Sequence, residues 1–346
     1  MEIGSFQINK KSKVFIIAEL SANHNGNFET AKETIRAAKR AGADCIKLQT
    51  YTADTLTLDC DKDDFKIKGT IWDGKNYYQL YQEAFTPWEW HKELFKTAEQ
   101  EGLVCFSSPF DKTAVDFLET LKVPAYKIAS FEITDIPLIE YVASKSKPII
   151  LSTGIAEEAD IELALDACRR MGNNDIALLK CTSSYPAPIE EENMCMVKDL
   201  AERYGVISGL SDHTMGATVP IVATCFGAKI IEKHFILDRS IGGPDASFSM
   251  TEDEFAAMVK AVREAESAIG VVDYTLTEKQ AKGRDFCRSL YVVKDIKAGN
   301  IITDENVRSI RPGFGLHPKY YKQILGKKVN VDLEFGTPLK INHLEL

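Results

Sequence analysis

The sequence lacks any long hydrophobic run, so no segment is expected to span a membrane as a helix. Its first residues, MEIGSFQINKKSK, have no apolar centre of the kind a secretory signal carries, and a cytoplasmic protein is expected. Eight cysteines occur without one C-x-x-C, which removes the usual sign of a zinc ribbon or a thiol–disulfide centre. Cys45, Cys105, Cys181 and Cys225 lie within apolar segments and are expected to be reduced, buried thiols packed as small hydrophobes. Basic residues are outnumbered, 42 against 51 acidic, for a net charge of −9. That balance argues against nucleic acid or an anionic membrane as partner. An anionic ligand would have to be gripped by a local basic cluster. Low-complexity segments are missing too. There is no H-E-x-x-H, and AELSANHNG stands where a dinucleotide-binding sheet would carry G-x-G-x-x-G.

What is present is a repeating unit. Short β-branched runs recur at Val14–Glu19, Asp44–Gln49, Leu103–Ser108, Ala125–Ser130, Pro148–Thr153, Ile176–Thr182, Val206–Asp212 and Lys229–His234. Amphipathic stretches such as Phe28–Arg40, Trp88–Glu101, Glu157–Arg170 and Thr251–Ile269 separate or follow them. In the last of these, Phe255, Met258, Val259 and Val262 fall at helical spacing. Near-continuous apolar strands alternating with helices imply a parallel sheet covered on both faces. Eight such units predict an α/β fold of the (β/α)8 TIM-barrel type, with an open doubly wound sheet as the alternative. The domain reading is a barrel over 1–274, a polar linker over 275–288 and a small β-rich domain over 289–346, broken by turns at Lys297-Ala298-Gly299, Arg311-Pro312-Gly313 and Phe335-Gly336-Thr337-Pro338.

In a TIM barrel the carboxyl ends of the strands supply the active site. Here they carry Glu19, Lys47, Gln49, Ser107, Ser108, Lys127, Ser130, Ser152, Thr153, Ser183, Ser211, His213, Glu232 and His234. Alternation puts Glu232 and His234 on one face and Lys233 on the other, and pairs Ser211 with His213. Two histidines at the tips of neighbouring strands suggest a divalent-metal site, with His24 as a further candidate ligand. Two imidazoles alone leave positions for water and substrate. Lys47 and Lys127, emerging from apolar runs, each need an anion. With Ser152, Ser183 and Ser211 they suggest a phosphate cradle, while ion pairs to Glu19 or Glu132 are the structural alternative.

FIIAELSANHNG, GADCIKLQTY, FSSPFD, AYKIASFE, PIILSTG, KCTSSYPAP, GLSDHT and IEKHF follow one another in an order that resembles the sialic-acid synthase family. The final module, with DIKAGNIITDENVRSIRPGFGLHP and LGKKV, is similar to that family's C-terminal antifreeze-like (SAF) domain. The resemblance implies a metal-dependent condensation of phosphoenolpyruvate with the open-chain aldehyde of an acetamido sugar, releasing phosphate by C–O cleavage. FKIKGTIWDGKNYYQLYQEAFTPWEWH, IASFEI and RPGFGLHPKYY resemble most the branch whose sugar is 2,4-diacetamido-2,4,6-trideoxy-L-altrose, with the N-acetylneuraminate and legionaminate branches as alternatives. It further implies that His213 and His234 hold Mn2+, with Mg2+ or Co2+ as substitutes, and that Lys47, Lys127, Ser152, Ser183 and Ser211 grip phosphoenolpyruvate. The family tends to carry Asn where this chain has Ser183. Glu132 is the candidate base, Asp245 would hold a water on the metal, Glu19 a sugar hydroxyl, and Tyr185 would line the site. A domain-swapped homodimer is implied, in which Arg311 reaches the sugar's acetamido group on the partner's barrel. Two readings from other classes compete. A metal-dependent barrel hydrolase would want more ligands than six histidines in this pattern supply. A non-catalytic sugar-binding protein would leave the polar strand ends unexplained.

Overall fold

The computed structural model describes residues 1–345. Its first unit, Met1–Gly270, is a closed barrel of eight parallel strands. They are β1 (Phe15–Glu19), β2 (Cys45–Thr50), β3 (Val104–Pro109), β4 (Tyr126–Ile128), β5 (Ile149–Ser152), β6 (Ile176–Cys181), β7 (Ile207–Asp212) and β8 (Ile230–His234). Closure comes from β8 pairing with β1, Ile230 opposite Phe15 through His234 opposite Glu19. Each strand leads to a helix: α1 (Phe28–Arg40), α2 (Trp88–Gln100), α3 (Lys112–Thr120), α4 (Ile136–Ala143), α5 (Glu158–Arg170), α6 (Cys195–Tyr204), α7 (Thr218–Cys225) and α8 (Glu252–Ile269). A two-stranded hairpin, Glu2–Ile3 with Phe6–Gln7, precedes the barrel.

Local chemistry fixes where these helices begin. Asn27 Oδ1 accepts the Thr30 N–H at 3.0 Å to start α1, and Asp111 Oδ1 accepts the Ala114 N–H at 3.0 Å to start α3. Each cap satisfies an otherwise orphaned donor and contributes about 1 kcal/mol. Along the strands the odd and even positions divide the core. Ile16, Ile46, Leu210 and Ile231 join Ala31, Ile35, Phe255, Met258 and Val262 in one buried layer between sheet and helices. Gly209 permits the closest approach, since a Cβ there would stand 2.3 Å from the Ile230 carbonyl oxygen.

Three details depart from expectation. The fourth strand ends at Ile128, and Ser130–Glu132 coils into a single 3-10 turn in which Ser130 Oγ accepts the Gly154 N–H at 3.1 Å, a side-chain bond outside the strand ladder. Cys225 is exposed at the end of α7, whereas Cys45, Cys105 and Cys181 are buried. Val259 is only partly buried. Between β2 and α2 a long excursion carries helical turns at Ala53–Leu56 and Tyr77–Ala84.

The second unit, Val271–Leu346, contains its own core of Leu290, Val292, Ile296, Ile302, Val307, Ile324, Val329, Leu333, Leu339 and Leu344. Strands β9 (Ser289–Val292) and β10 (Val307–Ile310) pair antiparallel, and isolated bridges knit the remaining segments to them. Its first residues, Val271, Val272 and Tyr274, are almost fully exposed.

Candidate active site

At the carboxyl mouth of the barrel, four buried charges from four strands meet. Glu232 Oε1 on β8 lies 2.9 Å from Lys47 Nζ on β2 and 3.3 Å from Lys127 Nζ on β4. Lys47 also contacts Glu19 Oε2 on β1 at 3.0 Å. Ser211 Oγ donates to Glu232 Oε1 at 3.3 Å, and Gln49 Nε2 donates to Glu19 Oε1 at 2.9 Å. Burial opposes ionisation of Glu232, but Lys127 and Lys47 outweigh it and hold the carboxyl below its ordinary range. Burial pushes the Glu19 carboxyl up against the pull of Lys47, with Glu232 adding to the push.

The cluster is charged but not closed. Glu232 Oε2, Ser152 Oγ and Glu132 Oε2 are buried without a hydrogen-bond partner, and Glu19 Oε2 has the charge contact to Lys47 but no aligned hydrogen bond. Each such group costs on the order of 1–3 kcal/mol. Several together mark a place where a ligand supplies the missing partners. Burial raises the Glu132 carboxyl to about 7, with Lys127 pulling the other way. Gly154 keeps the floor open, because a Cβ there would sit 2.1 Å from Ser183 Oγ and 2.7 Å from Ser130 Oγ.

Beside this cluster the rings of His213 and His234 lie 5.4 Å apart. His213 Nδ1 is 2.9 Å from the Thr182 carbonyl oxygen. A carbonyl can only accept, so Nδ1 carries the hydrogen, and in the neutral ring Nε2 keeps its lone pair; burial opposes charge on this imidazole, but Cys181 outweighs it and lifts it above its ordinary range. Burial holds His234 well below the ordinary imidazole range, with His213 and Lys47 adding to the effect, and its Nδ1 has no hydrogen-bond partner. Asp245 Oδ2 stands 3.7 Å from that nitrogen and accepts from Ser21 Oγ at 2.5 Å. Tyr185 packs at 4.4 Å on His213 and Phe248 at 5.0 Å on His234. Two imidazoles with free lone pairs beside a carboxylate fit a divalent ion. No group of three or more His, Cys, Asp or Glu suited to a metal occurs among the described residues, so water and substrate would complete the coordination.

The structure therefore brings Glu19, Lys47, Lys127, Ser211 and Glu232 into one cluster and sets His213, His234, Asp245 and Tyr185 together beside it. Ser152 is buried at the end of β5, and Ser183 beside Gly154 and Ser130. His24 does not join them. Its Nδ1 accepts the Gly26 N–H at 3.0 Å, its Nε2 meets Thr86 Oγ1 at 3.1 Å, and the ring packs against Trp90, so both nitrogens are spent on the loop. Arg311 lies in the second unit, exposed, directly after β10. The reading from sequence missed the centrality of Glu232, which both lysines share, and it missed Trp72. That indole packs 5.6 Å from Tyr185 and donates to the Pro244 carbonyl at 3.0 Å. Alternation alone pointed Glu232 inward, and Trp72 lay within the branch-like stretch FKIKGTIWDGKNYYQLYQEAFTPWEWH without being singled out.

Comparison with known proteins extends this geometry. Over 340 residues, 98% of each chain, the sequence is 53% identical to the pseudaminic acid synthase of Campylobacter jejuni subsp. jejuni serotype O:23/36. It is 50% identical over 331 residues to the pseudaminic acid synthase of Helicobacter pylori, covering 95% of this chain and 97% of that one. The crystal structure of the spore coat polysaccharide biosynthesis protein spsE from Bacillus subtilis superposes with a TM-score of 0.69 at 32% identity, covering 100% of this chain and 99% of that one. Residues 288–345 match the SAF domain, residues 34–274 match the NeuB family, and the chain belongs to the NeuB family.

Proposed function

We propose that the chain catalyses the pseudaminic acid synthase reaction, joining phosphoenolpyruvate to the open-chain aldehyde of 2,4-diacetamido-2,4,6-trideoxy-L-altrose. The observation that carries this reading is the convergence of Lys47 and Lys127 on one oxygen of Glu232, to which Ser211 also donates, with paired imidazoles alongside. The similarity to pseudaminic acid synthases over nearly the whole chain supports the choice of sugar.

In this reading Glu232 and Glu19 occupy the lysines until the ligand arrives. The phosphate and carboxylate of phosphoenolpyruvate then take the ammonium groups and the hydroxyls through charge-assisted hydrogen bonds. His213 and His234 would hold a divalent ion, Mn2+ first and Mg2+ or Co2+ as substitutes, which when bound polarises the sugar aldehyde as a Lewis acid. C3 of phosphoenolpyruvate attacks the aldehyde carbon, forming the C–C bond, and the aldehyde oxygen becomes a hydroxyl. Water adds at C2 and loses its proton to Glu132, whose raised carboxyl suits a base working near neutrality. The resulting C2 centre collapses to the ketone as its C–O bond to phosphate breaks and its hydroxyl proton leaves with the phosphate, while the proton taken by Glu132 balances the one gained by the former aldehyde oxygen. Asp245 orients a water beside the imidazoles, Glu19 takes a sugar hydroxyl, and Tyr185 walls the site. Arg311 acts from a second copy of the chain in a swapped homodimer, meeting the sugar's acetamido group. The reaction belongs in the cytoplasm, where phosphoenolpyruvate is available.

Purified protein incubated with phosphoenolpyruvate, Mn2+ and a panel of acetamido sugars is expected to release phosphate only when sugar and metal are both present. The altrose derivative should give the highest kcat/KM, ahead of the sugars used for N-acetylneuraminate and legionaminate. Phosphate release without sugar, or no turnover with any sugar, would overturn the reading.

A further inference from the structure

Trp72 stands between the imidazole pair and a cavity of about 790 Å3 that Ile71, Trp72 and Pro244 line on carbon and that Asn25, Ser247 and the charged Asp73, Lys75 and Glu83 line with polar groups. We propose that this cavity receives the C4–C6 end of the sugar and that Trp72 sorts sugars by the apolar groups they carry there. The inference rests on the synthase reading above and deepens it.

The cavity adjoins the imidazole pair through the Trp72–Tyr185 contact. Tyr185 touches His213 on one side and Trp72 on the other, at 4.4 and 5.6 Å between ring centroids. A sugar with its aldehyde at the imidazoles therefore runs past Tyr185 toward Trp72. The indole N–H is tied to the Pro244 carbonyl, which fixes the edge of the ring and leaves its face as a wall. Ile71 and Pro244 extend that wall. Polar groups line the same cavity: Asn25 Nδ2 donates to the Ile241 carbonyl at 2.9 Å, leaving its Oδ1 to accept, and Ser247 is exposed. An acetamido group at C4 matches both halves, its methyl against the indole and its N–H toward Asn25. The methyl that replaces the C6 hydroxyl meets Ile71. A sugar with a hydroxyl in place of the C6 methyl would instead bring that polar group against the carbon of Ile71 and lose water there.

The test is steady-state kinetics of the full-length, Mn2+-loaded enzyme with the diacetamido trideoxy sugar and with N-acetylmannosamine. Trp72→Ala is expected to lower kcat/KM for the diacetamido sugar about tenfold or more, the order that apolar subsites supply. The loss should fall in KM, with the KM for phosphoenolpyruvate within about twofold of wild type and N-acetylmannosamine less affected. Ile71→Ser, at an exposed position, tests the same wall should Trp72→Ala fail to fold, and is expected to shift sugar preference in the same direction by a smaller factor. Parallel losses for both sugars, a rise in the KM for phosphoenolpyruvate in place of that for the sugar, or an unchanged preference in Ile71→Ser would overturn the proposal. Wild-type turnover with neither sugar would overturn the synthase reading first and this inference with it.

Discussion

Strand β8 carries two buried lysine–carboxylate groupings one residue apart, and they are built to different rules. On the outer face Lys233 contacts Asp212 and donates to the Thr214 carbonyl at 2.6 Å, while Asp212 Oδ1 accepts the Thr214 N–H at 2.8 Å. Both charges find aligned partners there. On the inner face Glu232 is shared by two lysines, yet its second oxygen has no hydrogen-bond partner, nor have the nearby Ser152 and Glu132 oxygens or His234 Nδ1. A closed buried pair joins sheet to loop. An open one keeps its charge available to something that is not protein. The difference separates architecture from chemistry within one strand.

Substituting one lysine on each face breaks the comparison most sharply. Lys127→Met leaves Glu232 with Lys47, so folding stability should hold to within about 1 kcal/mol while kcat/KM falls about 10^2–10^3-fold, as losing a preorganised charged donor does. Lys233→Met should do the reverse in kind, costing about 3–5 kcal/mol in urea unfolding because Asp212 is left buried without its charge partner. Equal loss of stability in both variants would erase the distinction.

Glu132 sharpens it through pH. Its carboxyl is raised to about 7 from 4.5, so the base is half ionised near pH 7 and kcat/KM should climb as pH rises through that value. Glu132→Gln should lose that limb and about 10^2-fold in rate. Between pH 4.5 and 7 the folded chain binds the proton that the unfolded chain has lost, so this group makes folding progressively less favourable as pH rises. The glutamine variant should accordingly gain thermal stability relative to wild type at pH 8 and show no gain below pH 4.5. A smaller effect is expected for the imidazoles: His213→Ala or His234→Ala should weaken Mn2+ binding in calorimetry by at least about tenfold, with turnover falling alongside and the fold intact. Full activity of the double variant in the presence of chelator would retire the metal site. Smallest of all, Arg311→Ala should raise the sugar KM several-fold, on the order of 1 kcal/mol, and leave the KM for phosphoenolpyruvate alone; an unchanged sugar KM would confine Arg311 to its turn.

Much of the inner face was legible in the sequence because a parallel barrel converts strand order and period-two alternation into position. Once the eight runs are read as strands, Glu232 and His234 must share a face, Lys233 must oppose them, and β7 must lie beside β8. What alternation cannot convey is reach across the barrel. Lys47 and Lys127 come from β2 and β4, and that both meet the same oxygen from β8 depends on side-chain length and barrel diameter. The loops were harder still. His24 reads as a ligand beside a strand end, yet a loop amide and a threonine hydroxyl consume its nitrogens. Trp72 sits in an excursion without periodicity, and its value comes from a contact with Tyr185, more than a hundred residues later in the chain.

If the unsatisfied inner face of β8 is an anion site, phosphoenolpyruvate alone should bind there. Thermal unfolding of wild type, Lys127→Met and Lys233→Met, each titrated with phosphoenolpyruvate without sugar or metal, compares the two faces directly. Ligand binding should raise the melting temperature of wild type and of Lys233→Met, from its lower starting point, and leave that of Lys127→Met unmoved. An equal rise in Lys127→Met, or no rise in wild type, would contradict the account.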